Sequence, residues 1–190
     1  MADMTLNPDD AAASLSEIAA VEQRTRRTVA YARSSASFIL WGVLVAIGYT
    51  FGHFFPLLAR SGWFVVFGCG FAGSALLVGR RRRDTNATRI DRRLLYGKLV
   101  LYGYGWVLMA LLSPTVRQIN ALWPSVFMLG VVLGGLWLGR FFVICGLGVM
   151  ALTVIGYFWA GPWFDLWMAA ACGGGMVLCG LALRRLGELA

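Results

Sequence analysis

Apolar residues along this chain run in long blocks rather than in the short periodic strips of a soluble domain. Six blocks stand out, over residues 36–57, 62–79, 94–113, 119–139, 141–160 and 163–183. Each is about long enough to cross a bilayer, whose hydrocarbon core is ~30 Å thick against a helical rise of ~1.5 Å per residue. A backbone in lipid must pair its N–H and C=O groups within the segment, so the blocks predict helices. The strict apolar/polar alternation of a membrane β-barrel is absent. The predicted fold class is an all-α integral membrane protein: a six-transmembrane-helix bundle over residues 36–183. A short cytoplasmic N-terminal helix is expected within residues 1–35, and a short cytoplasmic tail over residues 184–190.

The polar stretches between the blocks carry local signals. Residues 1–13 are polar and acidic, with Pro8 expected to break any helix. A helix is predicted from Ser14, because Ser14 and Glu17 have capping-box spacing. Leu15, Ile18, Val21 and Val29 recur at rough helical spacing, while Glu22, Arg24, Arg26 and Arg27 form a polar face. Such a weakly amphipathic helix is either a solvated stalk near the headgroups or a docking helix for a cytosolic partner. Pro56, Pro114 and Pro162 mark the ends of blocks, since proline suits a helix's first turn or the position beyond its end. Pro124 either opens the fourth helix or kinks it. Only Gly139-Arg140 separates the fourth and fifth blocks, which predicts an antiparallel helical hairpin.

Charge adds an orientation. Seven arginines, Arg80, Arg81, Arg82, Arg83, Arg89, Arg92 and Arg93, lie between the second and third blocks. With the N-terminus inside, fourteen cations fall on inner segments and two, Arg60 and Arg117, on outer loops. That bias predicts both termini cytoplasmic, in a cell (inner or plasma) membrane. The arginine loop would face lipid and attract anionic headgroups. Asn86-Ala87-Thr88 matches a glycosylation sequon but falls on the predicted inner side. Net charge is +8, yet the cations flank apolar spans and hardly alternate with aromatics. Nucleic acid is therefore not an expected partner. Trp63, Trp123, Trp159 and Trp163 sit at predicted outer ends, and Trp41 and Trp137 near inner ones, as interfacial tryptophans do. No cleavable signal, myristoylation glycine or prenylation cysteine is read.

The mean hydropathy of +0.71 and the 24 glycines bear on packing. Gly48/Gly52, Gly130/Gly134 and Gly135/Gly139 have GxxxG spacing, and Gly68/Ala72 and Ala171/Gly175 are small-xxx-small pairs. Small residues let helices approach closely in lipid, either within one bundle or across a homo-oligomer. Gly173-Gly174-Gly175 predicts close packing of the sixth helix through Ala171, Gly174 or Gly175, or a bend there. Cys69, Cys145, Cys172 and Cys179 all fall within blocks and read as packed small hydrophobes.

Chemistry-bearing residues are sparse. His53 and Asp165, at predicted outer ends, could form a polar vestibule with Arg117, joined by Arg60, Gln118 and Asn120. Asp165 also suits a helix's first turn on dipole grounds. Lys98 and Tyr102, one turn apart, form a candidate intramembrane pair: either a snorkelling lysine beside a packed tyrosine or the mouth of a polar pathway. No catalytic residue, metal set or cofactor motif is assigned; the single histidine and scattered cysteines do not make a zinc or haem site. These features favour a non-catalytic accessory, regulatory or assembly membrane protein over an enzyme. The alternative is a small channel or transporter subunit for a neutral or apolar solute.

Overall fold

Pro8 was expected to break any helix, yet residues 8–13 are helical. In the computed structural model, which describes residues 8–84 and 92–189 and side chains at 14–18, 31, 34–80 and 96–187, the first helix, α1, runs unbroken over Pro8–Phe54. Proline disrupts the turn that precedes it, not the residues that follow. Helix therefore begins before Ser14, and the expected Ser14 capping box lies inside α1 rather than at its start. The 47 residues of α1 span roughly 70 Å at 1.5 Å per residue. The last part, Ser34–Phe54, is apolar enough to cross a membrane.

A short 3₁₀ turn, Pro56–Leu58, reverses the chain into α2 (Ala59–Asp84). Then come α3 (Arg92–Leu112), α4 (Val116–Leu138) and α5 (Arg140–Trp159). The 3₁₀ turn Gly161–Trp163 leads into α6 (Phe164–Met168), a π-helical segment (Ala169–Gly174) and α7 (Gly175–Leu189), which together form one long rod. Nearly all the described residues are helical, with no strand among them. Five stretches are long and apolar enough to span a bilayer: Ser34–Phe54, Pro56–Arg80, Val116–Leu138, Arg140–Trp159 and Gly161–Gly187. Within α3, Tyr96–Leu112 is a shorter apolar helix.

Two local signals set the middle of the chain. Thr115 caps α4 in a capping box: its hydroxyl accepts from the Gln118 N–H at 3.4 Å, and its own N–H donates to Gln118 Oε1 at 2.8 Å. So α4 starts at Val116, and Pro124 sits buried inside it. The α4–α5 hairpin turns on Gly139 alone, at φ 138° and ψ 153°, a conformation open to glycine.

The core is built around α1, which packs on α2, α6, the π segment and α7. The hairpin of α4 and α5 closes the other side, with α5 against α6, the π segment and α7. Tyr49, Met128, Val149, Phe164, Met168 and Cys172 form the buried cluster where these helices meet. The outlying α2 rests chiefly on α1, and α3 chiefly on α4. Trp41 ties α2 to α1: its indole N–H donates to Ser74 Oγ at 3.1 Å, and its ring packs against Phe67 and Phe71.

The sixth rod meets α1 through glycine. A Cβ on Gly173 would lie 2.6 Å from the Ala46 Cβ, one on Gly42 2.8 Å from the Gly173 carbonyl oxygen, and one on Gly180 2.9 Å from the Ser35 carbonyl oxygen. Backbones this close gain dispersion contacts, which drive helix association where water is absent. Of the positions expected to make a close contact, Gly175 does so, against α5 rather than α1: a Cβ there would stand 3.3 Å from Val149 Cγ2, whereas Gly174 has nothing within 4 Å. The π segment's longer i→i+5 turn, seen where the Gly175 N–H reaches back to the Ala170 carbonyl, shifts the helical phase of everything after it.

Candidate functional site

The bundle has a tryptophan end, where residues 55–58, 113–115 and 160–163 turn, and an arginine end bearing Arg80, Arg140, Arg184 and Arg185. Polar side chains gather just inside the tryptophan end, and proline chemistry starts the cluster. Pro124 has no N–H, so the carbonyl four residues earlier, that of Asn120, loses its helical donor. An unpaired buried carbonyl is costly. The Tyr49 hydroxyl, reaching across from α1, donates to the Asn120 carbonyl oxygen at 2.6 Å. Tyr49 is 2% exposed, so its own hydroxyl finds the partner that burial requires. Asn120 then uses its side chain: Nδ2–H donates to Asp165 Oδ1 at 3.0 Å. Asp165 lies in the first turn of α6, where a carboxylate also complements the helix dipole. One thread of hydrogen bonds thus runs α1–α4–α6.

Arg117 finishes the end of α5. Its Nη2–H donates to the Tyr157 carbonyl oxygen at 2.7 Å, and its guanidinium lies 5.3 Å from the ring centres of both Tyr157 and Phe164. Carbonyls in a helix's last turn lack intrahelical donors, and a cation there meets the negative end of the dipole. Aromatic faces add a cation–π contribution of order 0.5–1 kcal/mol at exposed sites.

Of the three expected vestibule residues, Arg117 and Asp165 join this cluster, each on a partner of its own rather than on each other. His53 lies apart, stacked on Trp163 at 5.5 Å and edge-on to Phe54 at 5.2 Å. Gln118 is engaged in the α4 cap. Lys98 is exposed on α3, while Tyr102 is half-buried with its ring 4.9 Å from Phe127. In the arginine loop, Arg80 is exposed at the end of α2. Arg89 and the sequon Asn86-Ala87-Thr88 lie outside the described residues, as do the side chains of Arg81, Arg82, Arg83, Arg92 and Arg93.

Sequence reading missed Tyr49 and Tyr157. The available signal for Tyr49 was a tyrosine inside a span facing a helix with an internal proline. A further feature is an open apolar groove of about 550 Å³ beside the end of α5, lined by Gly156, Trp159, Ala160, Trp163, Trp167 and Ala170. Trp167 is fixed in it by donating from Nε1 to the Leu152 carbonyl oxygen at 2.8 Å. Among the described residues, no three His, Cys, Asp or Glu side chains gather as a metal-ion site. The polar groups of the cluster bind one another across helices, an arrangement that fixes helix positions.

No family model, curated protein or solved structure matches the chain.

Proposed function

We propose that this chain is a non-catalytic accessory, regulatory or assembly membrane protein that engages a protein partner through the polar part of α1. The observation that carries this reading is the exposure of Leu15 and Ile18, at 69% and 63%. They stand one turn apart, well before the apolar part of α1 begins at Ser34. Apolar side chains exposed on a helix outside the lipid-length stretch suit a partner's hydrophobic groove. The same helix continues into the core against α7 and the π segment, so a partner held there is coupled directly to the bundle.

The six-span topology belongs to the same proposal. The 21 residues of α3 reach roughly 31 Å, which spans a bilayer with Lys98 snorkelling to the interface. The excess of cations at the arginine end, read from sequence, supports placing that end and both termini in the cytoplasm of a cell membrane. Anionic headgroups would then neutralise the loop between α2 and α3, at ~1 kcal/mol per cation near the surface.

The test is co-purification in mild detergent. The full chain should bring down a stoichiometric protein partner. The double variant Leu15→Asp/Ile18→Asp should lose it while the bundle's melting temperature stays within about 2 °C. A chain that purifies alone, and instead carries a neutral solute across vesicles containing nothing else, would replace this reading with the channel or transporter alternative.

A further inference from the structure

The antiparallel pairing of α5 with α7 places two cysteines in register. Gly175 lies opposite Val149, close enough that a Cβ there would sit 3.3 Å from Val149 Cγ2. Side chains four residues apart share a helix face. Moving one turn back along α5 and one turn forward along α7 reaches Cys145 and Cys179. Both are half-buried and unbridged. The other two cysteines are placed differently: Cys172 is buried in the core, and Cys69 is exposed on α2.

We propose that Cys145 and Cys179 form a redox-modification site, at which an oxidant of the hydroperoxide class joins them in a disulfide that staples α5 to α7. Hydrogen peroxide is small and uncharged, so it reaches a half-buried site within a bundle. One cysteine sulfur attacks a peroxide oxygen. The O–O bond breaks, one water leaves, and a sulfenic acid remains. The second sulfur attacks the sulfenic sulfur; the S–S bond forms, the S–O bond breaks, and a second water leaves. Two thiols lose two protons and two electrons, and one hydrogen peroxide becomes two waters. The geometry suits the step, because bridged cysteines need their Cβ atoms ~3.5–4.5 Å apart, and α5 and α7 already approach to contact one turn away. The bridge lies just past the π segment, so it fixes α7 against α5 where the rod's helical phase changes.

The experiment uses the full chain in detergent, treated with hydrogen peroxide and then denatured for mass analysis and thiol counting. The expected result is a loss of about 2 Da, as two thiol hydrogens depart, with alkylatable cysteines falling from the four of the sequence to half that number. A cross-linked peptide should join Cys145 to Cys179, and dithiothreitol should reverse both changes. Cys145→Ser and Cys179→Ser should each abolish the mass loss, whereas Cys172→Ser should retain it. If a serine variant fails to fold, the cross-linked peptide from the unmutated chain decides alone. Persistence of all the free thiols, a bridge through Cys69 or Cys172, or separate oxidation of Cys145 and Cys179 to sulfinic acids would overturn the proposal.

Discussion

The Tyr49 hydroxyl donates to the Asn120 carbonyl oxygen at 2.6 Å, and it does so because Pro124 has removed the amide that would otherwise hold that carbonyl. A proline in one helix is thereby answered by a tyrosine in another. The relationship predicts non-additive substitutions. Tyr49→Phe should cost about 1–2 kcal/mol of stability in detergent, since it leaves a buried acceptor unpaired. In a Pro124→Ala background the restored N–H competes for the same carbonyl, and the cost of Tyr49→Phe should shrink to a few tenths of a kcal/mol. A double-mutant cycle measures the difference. Additive effects would mean that Tyr49 contributes by packing alone.

A second prediction concerns the seam between α1 and the sixth rod. Gly173→Ala places a methyl group 2.6 Å from the Ala46 Cβ and 2.8 Å from its backbone atoms, and a helix backbone cannot give way as a side-chain tip can. Overpacking of this kind typically costs ~1–3 kcal/mol. Gly174→Ala, with nothing within 4 Å, should be neutral or mildly stabilising. Thermal unfolding of the two variants should separate adjacent glycines clearly; equal melting temperatures would place the helix contact elsewhere.

These two sites show how far the sequence could be read. The apolar blocks were legible because lipid-length hydrophobicity is a property of composition, and the Gly139-Arg140 hairpin because so short a connection leaves one geometry. Pro8 misled because a proline does not prevent helix in the residues that follow it. Thr115 and Gln118 carried a capping signal as clear as the one expected at Ser14, but it lay hidden between two apolar blocks. Gly173 was passed over because the small-xxx-small spacing of Ala171 and Gly175 singles out those positions, while the tightest approach to α1 falls on the glycine between them. At the polar cluster, Arg117, Asn120 and Asp165 were legible as polar residues near one end. Their partners were not: a carbonyl freed by Pro124 and another at the end of α5 are backbone groups that a list of side chains does not reveal.

The groove at the end of α5 yields a third prediction. A Cβ on Gly156 would collide with the Trp167 indole, which is anchored by its bond to the Leu152 carbonyl at 2.8 Å. Gly156→Ala should swing the indole outward and break that bond. A stability loss of about 1–3 kcal/mol is expected, with a shift in tryptophan fluorescence that Trp167→Phe removes. Trp167→Phe alone should cost less, about 1 kcal/mol.

The α4–α5 turn yields a fourth. Gly139 combines a φ of 138° with the Tyr31 hydroxyl 2.6 Å from where a Cβ would stand. Gly139→Ala is strained by backbone and neighbour together, and should destabilise the hairpin by about 1–3 kcal/mol. Adding Tyr31→Phe should recover only part of this, because the backbone strain persists. Full recovery would show that the hydroxyl contact was the whole effect.

The most direct test of the proposed function places a photocrosslinking amino acid at Ile18 and irradiates intact cells expressing the full chain. The account predicts one dominant protein adduct of defined mass, abolished by Leu15→Asp. Adducts to lipid alone, or a protein adduct indifferent to Leu15→Asp, would contradict a docking role for α1.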